Sequence, residues 1–450
     1  MENKKKNYYE AIFKAAEETN RKKFRKLFLK LHVKDQEELF HLLYPEKKKK
    51  MEEFLDPAEF AQLFEWKDAE DQLEAYHAVS PLYIASLFTY MEEDNIAAFL
   101  SYCDEEQREE LLQFLVAEER KEIIEILSYK PETAGSIMTK GMVVVTPEHT
   151  VQEAIEVIRT FAKDAEIVYY LYVLDEEDRL VGVVSLRDLI LHDERLTVSE
   201  IMLTQTVFVN IKDDQEEVAR VIQDYDLLAV PVLDQAEKML GIITVDDIMD
   251  ILVEEATEDF NEFSAISKSS TKGESAWDIA RVRMPWIVVL VFLGMLSASL
   301  ISSFEDTLNQ VVILAAFILI IMDSAGNVGT QSLAVAVRNL STGEERSVKQ
   351  FWQNIWKEFL AGGMIGIVAG LALGLVAGLF YGNLVLGLVI GFSLFVTLSF
   401  STAVGDVVQV LINKMNIDPA VASGPFITTI NDAFGLLIYF SIATELIDLL

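Results

Sequence analysis

The chain has 450 residues, 51% of them hydrophobic, yet its formal net charge is −34. It is too long for one small domain, and those two figures are compatible only if apolar and charged residues are segregated along it. The acidic excess argues against a nucleic-acid partner and for cations, and a single cysteine, Cys103, excludes a disulfide framework.

Charge is indeed segregated. Residues 1–50 carry 15 Lys+Arg against 8 Asp+Glu, net +7, and residues 51–130 carry 5 against 21, net −16. Residues 131–275 carry 11 against 31, net −20, and residues 276–450 only 7 against 12, net −5. The N-terminus, MENKKKNYYE, has no apolar stretch behind its charges, so no cleavable signal peptide is expected, and residues 1–20 read as a basic tail. Residues 21–130 read as helices forming a small α-solenoid. Asp56-Pro57 and Ser80-Pro81 are cap-plus-proline starts, and Asp104 opens another helix at a similar interval.

Residues 138–250 change character. Leu180-Val-Gly-Val-Val-Ser-Leu-Arg-Asp-Leu-Ile190 predicts a strand leading into a helix, and Leu240–Asp250 repeats the pattern. These pieces resemble a tandem pair of cystathionine-β-synthase (CBS) domains over residues 131–253. The resemblance places Ser185, Asp188, Thr244 and Asp247 near a nucleotide cleft, with Arg187 toward phosphate and ATP as the candidate nucleotide; a structural strand-helix turn explains the same motif. From Asp246 the chain is very acidic. Asp247, Asp250, Glu254, Glu258 and Glu262 recur at helical steps, flanked by Glu255 and Asp259. Like charges so spaced repel, which fits either a solvated surface or divalent cations bridging this face to other acidic elements.

Five stretches are long and apolar enough to cross a bilayer as helices: Pro285–Phe304, Val311–Val337, Phe359–Tyr381, Leu384–Ile412 and Pro425–Thr444. Arg281, Arg283, Arg338, Arg346, Lys349, Lys357 and Lys414 all fall on one side of them. That side is cytosolic by the positive-inside rule, so the N-terminal part is inside and the C-terminus outside. Span three carries Gly362, Gly366, Gly370, Gly374 and Gly378 at every fourth position, a groove for close helix packing or for a gating contact. Asp323, Asn327 and Gln331 share a face of span two, and Thr428 and Asp432 share one of span five, with Thr429 and Asn431 beside them. Span four adds Thr397, Ser401, Thr402, Asp406 and Gln409. These oxygen donors, without mid-span Lys, Arg or His, suit a hard cation; interhelical hydrogen bonding is the other reading.

The whole arrangement resembles the MgtE family of magnesium channels and transporters. The motifs that carry the likeness are Leu127–Met138 (LSYKPETAGSIM), Ala325–Ser332 (AGNVGTQS) and Ile417–Asp432 (IDPAVASGPFITTIND). The fold implied is a mainly α membrane protein: a five-helix transmembrane domain (277–450), a cytosolic α-solenoid N domain (21–130), α/β tandem CBS domains and a connecting, or plug, helix (254–276). The resemblance implies a plasma-membrane homodimer with Mg2+ as cargo and a pore along the two-fold axis, with Asp432 as pore carboxylate. Asp323, Asn327, Gln331, Thr428 and Asp406 are the further pore-lining candidates. It also implies a Mg2+ sensor, whose matching acids are Glu59, Asp94, Glu216, Asp226, Asp247, Asp250, Glu255, Glu258, Asp259 and Asp418. Two departures stand out: Asp94 is followed by Asn95 instead of a second acid, and Asp406 is an added carboxylate in span four. Rival readings are transport of Co2+ or Mn2+, sodium coupling through Asp323 and Asp406, and a membrane-anchored nucleotide sensor. An enzyme is not expected, since no nucleophile–base pair or phosphate loop is present.

Overall fold

The computed structural model describes residues 2–43, 48, 50–67, 69–161, 165–264, 275–341, 348–414 and 424–447. It divides into two compact units, Met1–Leu252 and Val253–Leu450.

Among the described residues the first unit opens with ten α-helices: α1 (Glu2–Glu17), α2 (Arg21–Phe28), α3 (Val33–His41), α4 (Met51–Phe54), α5 (Pro57–Glu65), α6 (Ala69–Ala78), α7 (Pro81–Leu87), α8 (Glu93–Tyr102), α9 (Glu105–Leu112) and α10 (Ala117–Ser128). Residues 1–20 were expected as a basic tail, and this is corrected. Tyr9, Ile12, Ala15 and Ala16 form a narrow apolar stripe at helical spacing, and burying that stripe in the core holds α1 in place despite its lysines. The helix starts after it follow the sequence. The Asp56 amide donates to Glu59 Oε2 at 2.9 Å, the Ser80 hydroxyl accepts from the Tyr83 amide at 3.3 Å, and the Asp104 carboxylate accepts from the Gln107 amide at 2.8 Å. Phe24, Phe28, Phe54, Phe60, Phe64 and Phe99 fill the core between these helices.

Two three-stranded sheets follow, built alike. In the first, β1 (Val143–Val145) runs parallel to β2 (Tyr170–Leu174), which pairs antiparallel with β3 (Leu180–Ser185). In the second, β4 (Val209–Asn210), β5 (Ala229–Leu233) and β6 (Met239–Thr244) repeat that order. The register repeats too: Tyr170 opposes Ser185 as Ala229 opposes Thr244. Helices α11 (Val151–Phe161), α12 (Leu186–Leu191), α13 (Val198–Ile201) and α14 (Gln215–Asp224) accompany the strands. The repeated glycines have a packing reason. A Cβ on Gly182 would lie 3.1 Å from the Leu203 carbonyl oxygen, and one on Gly241 only 2.5 Å from that of Thr139, because a second stretch of chain bridges each strand there.

Helix α15 (Val245–Phe263) begins inside the segment assigned to the CBS pair. The boundary expected at residue 253 therefore falls within a continuous helix. In the second unit, its last turn places Phe263 against Leu333, Ile427 and Val408. The long helices are α16 (Ala276–Ser303), α18 (Ala315–Ser341), α19 (Val348–Tyr381), α20 (Leu384–Lys414) and α21 (Gly424–Glu445), with the short α17 (Glu305–Gln310) between the first two. Among the described residues these five are long and apolar enough to cross a membrane. Helix α16 starts nine residues before the predicted Pro285, which sits inside it.

The glycine stripe of α19 packs on α20. A Cβ on Gly370 would sit 2.4 Å from the Gly391 carbonyl oxygen, and one on Gly374 2.6 Å from that of Gly387. Of the two readings of that stripe, close packing is the one the contacts bear out.

Candidate ion pathway and cation-binding site

In the membrane unit, α18 and α21 meet at two glycines. A Cβ on Gly326 would lie 2.6 Å from Thr428 Cγ2 and 3.4 Å from Asp432 Oδ1. One turn further, Gly329 makes room for Asn431. The Thr330 and Thr428 hydroxyls lie 3.1 Å apart, linking the same two helices. Asn431 is fully buried, and among the described residues neither its amide nitrogen nor its oxygen has a hydrogen-bond partner; Asp432 Oδ1 is likewise buried and unpartnered among them. Buried polar atoms left this way are costly. Asp323 of α18 lies within electrostatic reach of Asp432.

Asp323, Asn327 and Gln331 form one face, as their spacing predicts, and that face is exposed on the outside of the single bundle. Thr428 and Asp432 are half-exposed beside it. In span four, Thr402 is buried and donates to the Glu358 carbonyl at 2.9 Å, so it is a packing residue. Asp406 lies on α20, and its side chain is outside the described part, as is that of Gln409.

In the first unit the sequence-predicted acids separate into those brought together and those engaged elsewhere. Glu92 and Asp94 stand at the start of α8, Asp247 in the first turn of α15, and Glu166 just ahead of β2. These four carboxylates act on one another electrostatically. Burial first, then Asp247 and Glu166, push the Asp94 carboxyl well above the usual range. Burial, then Asp247 and Glu92, push Glu166 up to about 8. Among the described residues Asp94 Oδ1 and Glu166 Oε2 are buried without a partner. Among the described residues no salt bridge with Lys or Arg reaches any of the four. Orphaned oxygens within an uncompensated negative cluster are the donor set a hard divalent cation fits.

The other candidates differ. Glu59 accepts from Arg25 at 2.5 Å and from the Asp56 amide, so both of its oxygens serve the N domain. That pairing departs from the expected sensor role, because the basic α2 supplies a guanidinium. Glu216 pairs with Arg220 of its own helix at 2.6 Å. Asp226 is exposed with φ +50°, and Asp250 is exposed. Glu255, Glu258 and Asp259 lie on the part of α15 that belongs to the second unit. Asp418 lies outside the described residues. Glu92 and Glu166 were not among the sequence candidates: they sit in polar stretches with no periodicity or motif to single them out.

In the CBS repeat, Ser185 and Asp188 engage each other, the hydroxyl donating to Asp188 Oδ2 at 2.5 Å, and Thr244 donates to Asp247 Oδ2 at 2.6 Å. Each pair closes the first turn of a helix, and Arg187 is exposed. A cleft of about 550 Å³ lies further along, lined by Thr204, Gln205, Thr206, Phe208, Tyr225 and Glu237 among others.

Comparison with known proteins shows what the chain is similar to. The model of the family described as a divalent cation transporter, MgtE, matches residues 318–442; the MgtE intracellular N domain matches 31–132; the CBS domain matches 134–194 and 198–254. A magnesium transporter MgtE of Enterococcus faecalis is 40% identical over 423 residues, which is 94% of this chain and 93% of the relative. The chain belongs to the MgtE family. Another MgtE, of Bacillus subtilis, is 41% identical over 322 residues, covering 72% of this chain and 71% of its own. A crystal structure of the cytosolic domain of the Mg2+ channel MgtE in complex with ATP superposes with a TM-score of 0.52 at 33% identity, over 54% of this chain and 99% of that one. Members of the MgtE family are transporters or channels, not enzymes.

Proposed function

We propose that this chain carries Mg2+ across the plasma membrane into the cell, as a homodimer whose pore is lined by α18 and α21 of both copies. What carries the reading is the stripe Asp323–Asn327–Gln331, exposed on the outside of a single bundle beside Asp432 and its unpartnered Oδ1. A carboxylate facing hydrocarbon costs about 2.5–3.5 kcal/mol even on the mildest scale. A second copy facing this stripe across a water-filled path removes that cost. The dimer then presents Asp432 twice, which suits an ion that keeps most of its water. The relatives described as magnesium transporters favour Mg2+ as cargo. Co2+ or Mn2+ transport and sodium coupling through Asp323 and Asp406 are the alternatives.

The division into N domain (21–130, with α1 added), CBS pair (131–253), connecting helix (254–276) and bundle (277–450) is part of the same proposal, with the C-terminus outside. Cytosolic Mg2+ binding at Asp94 and Asp247, with Glu92 and Glu166, closes the channel when Mg2+ is plentiful. Asp226, Asp250, Glu255, Glu258, Asp259 and Asp418 are the supporting ligands of this proposal; Glu59 and Glu216 are placed second because arginines already hold them. ATP at the CBS pair is supported by the ATP complex of the related cytosolic domain.

The deciding experiment is ion flux into proteoliposomes with a panel of divalents, for the parent and for Asp432→Asn. Mg2+ flux that falls at least about tenfold in the variant supports the pathway; equal flux in both discards it.

A further inference from the structure

One cluster of metal-ligand type lies away from the acids above. Glu37 and His41 are one turn apart on α3, and Asp71 comes from α6. His41 Nε2 lies 2.7 Å from Asp71 Oδ2 and 3.6 Å from Glu37 Oε1. One donor atom from each of the three falls within 4.8 Å of the others. Lys34 Nζ holds the second oxygen of Glu37 at 2.6 Å, which fixes the carboxylate with Oε1 turned toward the imidazole. The Glu37 and Asp71 side chains are only 13% and 21% exposed, whereas His41 is 39% exposed, leaving one side of the cluster to water.

His41 Nε2 and Asp71 Oδ2 face each other at 2.7 Å, so a metal ion bound there would take the place of the direct contact between them. The donor set is one imidazole nitrogen and two carboxylate oxygens with a water-facing side, a combination that borderline divalent ions accept and that differs from the all-oxygen surfaces elsewhere in the chain. The surrounding charge discriminates further. Lys34 touches Glu37, and the buried ammonium of Lys67 acts on Asp71 and Glu37. Two cations beside the carboxylates penalise an ion held by charge alone, such as Mg2+. An ion that gains from nitrogen coordination is penalised less relative to its affinity.

We propose that Glu37, His41 and Asp71 form a binding site for a transition-metal dication of the Zn2+ or Co2+ type, which ties α3 to α6. The site does not depend on the transport reading above. Its test uses the full chain purified in detergent with millimolar Mg2+ present to fill the all-oxygen sites. Co2+ is titrated in and its visible d–d absorption is followed, with Zn2+ then added as competitor. The expected result is one equivalent of nitrogen-ligated Co2+, displaced by Zn2+, with affinity at least about tenfold lower in His41→Gln and in Asp71→Asn and unchanged in His77→Gln, whose ring is exposed. Zn2+ should also raise the melting temperature of the parent and of His77→Gln but not of the other two. Each variant is melted without metal first, so a folding defect in one leaves the other to decide. Unchanged Co2+ affinity in a folded His41→Gln or Asp71→Asn chain, or no nitrogen-ligated Co2+ bound by the parent against the millimolar Mg2+ present, overturns the site.

Discussion

Gly329 and Asn431 are in such close contact that a Cβ on the glycine would lie 1.7 Å from the asparagine amide nitrogen. The pair joins α18 to α21 one residue before Asp432. It also explains why the position on α18 has no side chain: any larger residue would have to displace a buried amide.

Gly329→Ala therefore pushes Asn431 out of place or separates the two helices. Overpacking of this kind costs about 1–3 kcal/mol. The chain should still insert, because an added methyl does not make the span less apolar, while Mg2+ flux in proteoliposomes should fall by about tenfold or more as Asp432 moves with Asn431. Flux at the parent level from a properly inserted variant would show that this contact does not position the carboxylate.

The cluster around Asp94 should make the stability of the first unit pH-dependent. Glu166 is raised by burial to about 8 and Asp94 is raised as well, so both bind protons more tightly when folded than when unfolded. Such groups contribute stability that is full below their ordinary carboxylate range and is lost as pH rises through about 8. Without divalent ions, melting temperature should decline between about pH 6 and about pH 8.5; with millimolar Mg2+ that decline should flatten, as the ion replaces the protons. Glu166→Gln should remove much of the slope. A parent melting profile flat across that range without Mg2+ would contradict the cluster's electrostatics.

The proposed Mg2+ sensor is also open to test by trypsin cleavage within residues 255–275. Millimolar Mg2+ should slow cleavage there in the parent and have less effect in the double variant Asp94→Asn, Asp247→Asn. Equal protection in both chains would remove these acids from the sensor.

The exposed stripe on α18 predicts a subunit contact. With Cys103→Ser as background, Asn327→Cys should cross-link two copies through a short bifunctional thiol reagent in membranes. Leu371→Cys, on the exposed apolar face of α19, should not. The reverse result would place a different face at the two-fold axis.

The stripe of glycines on α19 predicts cost without direct loss of chemistry. Gly370→Leu forces its side chain into the Gly391 carbonyl, and the expected outcome is a lower melting temperature and less folded protein in detergent. Unaltered stability would mean the two helices can separate freely.

Much of this protein was already determined along the sequence. Five long apolar runs, and seven basic residues on one side of them, are one-dimensional properties, since the bilayer demands about 20 apolar residues per helix and retains positive loops. The cap residues Asp56, Ser80 and Asp104 act within a single turn, and the duplicated strand-turn-helix is read as a repeat without knowing where its halves lie. Asp432 stood out because a mid-span carboxylate is costly wherever the helix goes. Only the tertiary structure decided which acids meet. Asp94, Glu166 and Asp247 come from three separate stretches, and nothing in their local spacing distinguishes them from Glu59 and Glu216, which arginines hold instead. It also turned the supposed N-terminal tail into a packed helix, and it put Asn431 against Gly329. Local rules act over a turn or two of chain. Burial, charge pairing and close approach are settled between segments far apart in sequence, and those are what make the site.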